Sequence, residues 1–292
     1  MGGHFAGLGV LLLSAAARAQ TAEASGPSVA ERQGSVAGGE SAATATAATG
    51  ASQGEAGASQ AAPQDARRVD IREADANVDR VVLMSTAETQ PKGRLFFSAH
   101  ELVFWQLGYA FTDRVQATVT TWPVLVKDQP FFLDGALKAN LLRTDTVRVA
   151  AIAGATYVSA EVEDAHDTAS AGRLALAGQL CLTESCWTSV VGNLSGWIPL
   201  SHSGSTLFLG GLGLTSKVSQ HVGLLFELTS GAIYDDGLDF ANGMLINYGV
   251  RFSGSAVGVD LTMLRPTGED TGDIVMGIPF VSFTYRSDPL TP

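Results

Sequence analysis

From Val147 to Tyr157 the chain alternates two textures. Val147, Val149, Ala151, Ala153, Ala155 and Tyr157 share one parity; Arg148, Ala150, Ile152, Gly154 and Thr156 share the other. A period of two sends successive side chains to opposite faces of a strand. The pattern recurs downstream. Phe131, Leu133, Leu137, Ala139 and Leu141 oppose Asp134, Lys138 and Asn140. Val115, Ala117 and Val119 oppose Gln116, Thr118 and Thr120, and Val222, Leu224, Phe226 and Leu228 oppose His221, Glu227 and Thr229. Met244, Ile246, Tyr248, Val250 and Phe252 oppose Asn247, Arg251 and Ser253, while Val257, Val259, Leu261 and Met263 oppose Asp260 and Thr262. Many of these runs match the ~9–11 residues of a tilted membrane strand rather than the ~5–6 of a typical globular strand. The apolar parity is therefore expected to face lipid, with Arg148 and its like facing a lumen.

Composition narrows the choice. Hydrophobic residues make up 46% of the chain, yet no uninterrupted apolar run reaches the ~20 residues of a membrane helix. A closed β-barrel is the other structure that satisfies its backbone in lipid. The formal net charge of −11 argues against nucleic acid, where a basic footprint is expected. The expected fold is all-β: a transmembrane antiparallel up-and-down β-barrel of about twelve strands, preceded by a signal peptide and a disordered linker. The first two strands read as 80–86 and 94–112, with others at 147–161 and 172–182. Tight turns (TDR, TDT, TES, SGS) alternate with longer connections such as DAHDTASAG, DDGLDFAN and PTGEDTGD. Outer-membrane barrels pair short periplasmic turns with longer extracellular loops in this way.

Three regions follow. Residues 1–19 read as a cleaved signal peptide, with an apolar stretch from Phe5 to Leu13 and an A-x-A site at Ala17–Ala19; no Lys or Arg precedes the stretch, only His4. Residues 20–78 are mostly Ala, Gly, Ser, Thr, Glu and Gln and read as a disordered linker. Residues 79–287 are the expected barrel. Aromatics near strand ends, among them Phe96, Trp105, Tyr109, Trp122, Phe280 and Tyr285, fit interfacial girdles.

The polar parity holds the candidate lumen-facing residues Asp134, Lys138, Asn140, Arg148, Arg173, Glu227, Asn247, Arg251, Asp260 and Arg286. Both signs are present, so these charges are expected to pair across the barrel axis and hold the interior shut. Four residues separate Cys181 from Cys186. A disulfide across a tight hairpin and two free thiols are both open readings. The sequence carries no H-E-x-x-H, P-loop or Cys–His pairing. No catalytic, cofactor or metal residues are therefore assigned, and the expectation is a protein that is not an enzyme. His202 between serines reads as a solvated loop. The acidic stretches Glu161–Asp167, Asp235–Asp239 and Glu269–Asp273 read as loop tips, without EF-hand spacing. Outer-membrane lipid is the expected partner, nucleic acid is not, and small solutes could use the lumen. The leading reading is a structural or partly plugged barrel, with porin-like passage as the alternative and an outer-membrane hydrolase third.

The segments LVFWQLGYAFTDRVQATVTTWP, PFFLDGALKANLLRTDTVRVAAIAGATYV and GIPFVSFTYR together resemble a group of Gram-negative outer-membrane β-barrels, largely uncharacterised, of the small porin-like kind. The carrying features are an aromatic strand ending in Gly-Tyr-x-x-Thr-Asp, a PFF opening the next hairpin, and a closing GIPFVSFTY. The resemblance covers most of residues 80–286. It implies an outer-membrane location and a barrel fold, and no activity.

Overall fold

The computed structural model describes residues 70–101, 104–122, 131–162, 165–200, 205–234, 238–268 and 277–290. The signal-peptide reading, the linker through residue 69, His4, His202 and the acidic stretch Glu269–Asp273 lie outside the described residues, as do the side chains of 160–167.

Twelve strands close into one antiparallel barrel, each paired with its sequence neighbour, and the first with the last. They are β1 (Leu95–His100), β2 (Phe104–Thr112), β3 (Val115–Thr121), β4 (Phe131–Arg143), β5 (Val147–Val162) and β6 (Ala165–Cys181). Then follow β7 (Thr188–Pro199), β8 (Thr206–Lys217), β9 (Val222–Tyr234), β10 (Leu238–Ser253), β11 (Val257–Thr267) and β12 (Ile278–Arg286). Closure leaves no free sheet edge, because β1 pairs β12 from Phe96↔Arg286 to His100↔Ser282.

The parity read from sequence fixes which way each strand faces. Leu137, Leu174, Leu194, Leu212, Leu224 and Leu261 are each about half exposed or more and circle the outer wall. Their neighbours on the other parity, such as Lys138, Gln179, Glu227 and Asp260, are buried inside. An apolar belt around a closed barrel is far larger than the patches that monomeric soluble proteins expose. The belt survives one irregularity in β4, where the register with β5 shifts between Asn140 and Leu142. That extra residue lets Leu141 and Leu142 both point outward and turns Arg143 back toward Arg148, its partner across the pair.

Several expectations are corrected. The strand expected at 80–86 is not in the barrel wall; those residues lie inside it. The strand count nevertheless comes to twelve because the expected strand 94–112 is two strands, reversing at Glu101, which has φ 52. Alternation could not reveal that reversal. The β1–β2 register pairs Phe96 with Gly108 and Ser98 with Gln106, so even positions face inward on both sides of the turn. The long DAHDTASAG connection is also corrected: β6 begins at Ala165, and β5 and β6 pair as far as Val162↔Ala165. Much of DDGLDFAN likewise belongs to β10, which begins at Leu238. Finally, Phe96 and Phe280 are not girdle residues. Both are buried on the inner parity, and Phe96 lies so close over β2 that a Cβ at Gly108 would stand 2.1 Å from its ring.

Candidate functional site

The barrel interior is occupied by the chain's own residues 70–93. The segment enters at the end where the short turns gather. There Asp70 caps a single helical turn, α1 (Ile71–Ala74), by accepting from Arg72 N–H at 3.0 Å. It rises to an apolar tip at Val81–Met84, turns back at an isolated bridge between Arg80 and Ser85, and returns to Gly93, which donates to Ala110 O. The linker expected through residue 78 thus ends earlier. Residues 70–78 form the first limb of this luminal hairpin, and the wall begins only at Leu95.

The hairpin packs against wall positions that have no side chain. A Cβ at Gly213 would meet Val81 at 2.9 Å, and one at Gly258 would meet the Asn77 amide at 2.8 Å. The tip residues Val81, Val82 and Met84 join Val191, Leu225, Leu264 and Phe280 in one apolar cluster. This is a small core inside the barrel, built from inward apolar residues that the strict polar parity did not predict.

The polar contacts define the site. Glu227 on β9 is fully buried. Its Oε2 accepts from the backbone N–H groups of Val82, Leu83 and Met84 at 3.0, 3.1 and 3.0 Å. Its Oε1 accepts from Asn247 Nδ2 at 2.9 Å. Three successive N–H groups converging on one oxygen form an anion-holding concavity. Here the anion belongs to the wall, and the tip backbone finds in it the partners that a neighbouring strand would otherwise supply.

Arg251 on β10 makes a bidentate pair with Asp260 on β11, Nε to Oδ1 at 2.7 Å and Nη2 to Oδ2 at 3.0 Å. The same guanidinium donates to Asn77 O at 3.0 Å and to Val81 O, and lies 3.4 Å from Asp75 Oδ2. Arg286 on β12 donates to Arg72 O, Glu73 O, Asp75 O and Gln90 Oε1. Lys138 donates to Asp79 O at 3.0 Å and Asn140 to Ala87 O at 2.9 Å. Arg148 pairs with Glu88, and Asn77 Nδ2 donates to Asp260 Oδ1 at 3.0 Å.

The expectation that luminal charges pair across the axis is therefore corrected. Arg251–Asp260 and Arg173–Asp134, the latter at 3.2 Å, pair within the wall. Glu227, Lys138, Asn140, Arg148 and Arg286 bind the hairpin instead. A barrel this wide leaves its walls too far apart for direct pairs, so a third element carries the complementary groups. The missed residues are Arg72, Asp75, Asn77, Asp79, Arg80 and Glu88. The signal that could have found all of them but Glu88 is DIREADANVDR, a stretch dense in both signs ahead of the first strand.

The hairpin is also fixed at its base. Arg72, itself buried, ties the two limbs together by donating to Thr89 O and Gln90 O at 3.0 and 3.1 Å. It also meets Asp113 Oδ1 in the β2–β3 turn at 2.9 Å. That hydrogen bond holds the Asp113 carboxyl below its ordinary value of 3.8. Cys181 and Cys186 are bonded, with Cα atoms 4.7 Å apart. The bridge closes the β6–β7 turn and packs with Ile71 and Val78 of the hairpin.

Above the tip, toward the opposite mouth, lies a cavity of about 470 Å³. Asp134 and Arg173 line it together with Lys138 and the hydroxyls of Thr118 and Thr120. Phe104, stacked on Trp122 at 5.5 Å between ring centroids, stands on its wall. Among the described residues no group of three or more His, Cys, Asp or Glu side chains could hold a metal ion.

No protein-family model and no curated protein matches the chain. Among solved structures, LpxR from Salmonella typhimurium is similar at a TM-score of 0.40 and 11% identity, over 66% of this chain and 99% of that one. A bacterial polysaccharide outer membrane secretin is similar at a TM-score of 0.31 and 10% identity, over 67% and 97%. Both are outer-membrane proteins, and likenesses this distant assign no chemistry to the chain. The expectation that the protein is not an enzyme is nonetheless corrected. LpxR is an outer-membrane lipid A deacylase, and an enzyme reading stays open.

Proposed function

We propose that the protein is an outer-membrane β-barrel whose lumen is shut by its own N-terminal hairpin, a structural barrel and not an open pore. The observation that carries this reading is the pinning of residues 70–93 by inward side chains from β4, β5, β9, β10 and β12. The continuous apolar outer wall supports insertion in lipid, and export through a cleaved signal peptide would bring the chain there. The short turns, gathered where the hairpin enters, would face the periplasm. Passage of small solutes, the competing role, requires the hairpin to shift.

Reconstituted in planar bilayers, the intact protein is expected to show near-zero conductance. Steady single-channel steps of porin size would sink the reading. The outer wall is tested separately. Leu224→Arg, on the outward parity, is expected to cost roughly 2–4 kcal/mol near the bilayer midplane. Thr118→Arg, facing the cavity, is expected to cost much less. Equal losses in folding titrations into lipid vesicles would mean that the outward face does not meet lipid.

A further inference from the structure

The cavity above the hairpin tip has two unlike sides. One side, from β3 to β6, presents Thr118, Thr120, Asp134, Lys138 and Arg173. The other, from the tip and from β11 and β12, presents Leu83, Leu264, Ile278 and Phe280. Two of these apolar groups are exposed although they face the interior. Leu83 is 41% exposed at the tip, and Ile278, on the inward parity of β12, is 53% exposed. Large aliphatics left bare toward a luminal space gain free energy from any apolar group that covers them.

The polar side has more donors than acceptors. Both oxygens of Asp134 are engaged, one by Thr156 Oγ1 at 2.7 Å and one by Arg173 Nη1 at 3.2 Å. Arg173 Nε is buried and has no hydrogen-bond partner, and neither has Nε of Arg80, whose side chain also lines the cavity and is only 6% exposed as a residue. Lys138 is buried, and among the described residues its ammonium meets only Asp79 O. An ammonium has three donors and a guanidinium five. Buried donors without acceptors carry a desolvation cost that an incoming acceptor removes.

We infer that this cavity binds a small amphipathic anion, its carboxylate or phosphate head against Lys138 and Arg173 and its hydrocarbon part against Leu83, Ile278 and Phe280. The volume lies within the ~300–1,000 Å³ range of small-molecule sites. The site goes beyond the plugged-barrel reading and does not depend on whether the barrel conducts.

The test is calorimetric titration of the full-length protein in lipid nanodiscs, with empty nanodiscs subtracted. Octanoate and octyl phosphate are the probes; octanol and inorganic phosphate are the controls. At least one of the two amphipathic anions is expected to bind saturably, and each control about tenfold or more weaker. The tighter of the two anions identifies the head. Arg173→Gln is expected to weaken binding about tenfold. Leu83→Ser is expected to weaken it several-fold, and because that side chain is exposed the variant keeps the fold. Octanol binding as tightly as octanoate, uptake no greater than by empty nanodiscs, or affinity unchanged in Leu83→Ser would each overturn the inference.

Discussion

Glu227→Ala is expected to unpin the tip of the luminal hairpin and turn a silent barrel into a noisy, leaking one. The side chain removed is the acceptor for the three N–H groups of Val82, Leu83 and Met84. Each buried donor left without a partner costs about 1–3 kcal/mol. Even with some relief from entering water, the loss should reach about 3 kcal/mol or more, concentrated on the hairpin and not on the wall. The strand pairing of β9 with β8 and β10 runs through the backbone and stays intact. Glu227→Gln keeps one acceptor oxygen and should fall between. The measurements are conductance in planar bilayers and protease sensitivity at Leu83. If Glu227→Ala conducts no more than the parent and its tip stays protected, the carboxylate does not hold the plug.

Arg251→Ala is the second large effect, and it acts on both wall and plug. The substitution leaves Asp260, fully buried, without its bidentate partner, and takes the same guanidinium from Asp75. Breaking one partner of a buried ion pair costs about 3–5 kcal/mol. It also strips donors from Asn77 O and Val81 O, so the first limb loosens with the wall. The combined change Arg251→Met with Asp260→Leu should recover part of the loss, because a buried pair replaced by apolar groups of similar volume is often near neutral. Recovery stays incomplete, since Asn77 Nδ2 then lacks its acceptor. Urea unfolding from vesicles, followed by the heat-dependent gel shift, reads both. A single variant as stable as the parent would show that water already solvates the pair.

The barrel was legible because a wall strand repeats one physical demand at every second residue. Leu137 against Lys138, or Leu224 against Glu227, states which face meets which surroundings before any partner is known. The outward leucines and the inward charges follow from that alternation; the all-β barrel needed strand length and composition beside it. The split of residues 94–112 into β1 and β2 did not, because the hairpin register keeps even positions inward on both sides of Glu101.

What fills the interior was decided only by tertiary structure. Parity says that Glu227, Arg148 and Arg286 point inward; it cannot say what they meet. Residues 70–93 carry no period of their own. Their backbone groups are satisfied in part by short local turns and in part by side chains of seven wall strands, so Val81–Met84 looks like a strand and DIREADANVDR like solvated linker. The hairpin has its conformation because the wall supplies, at fixed places, a carboxylate for its N–H groups and guanidiniums for its carbonyls. Those places are set by the closed register of the barrel, which no stretch of sequence contains by itself.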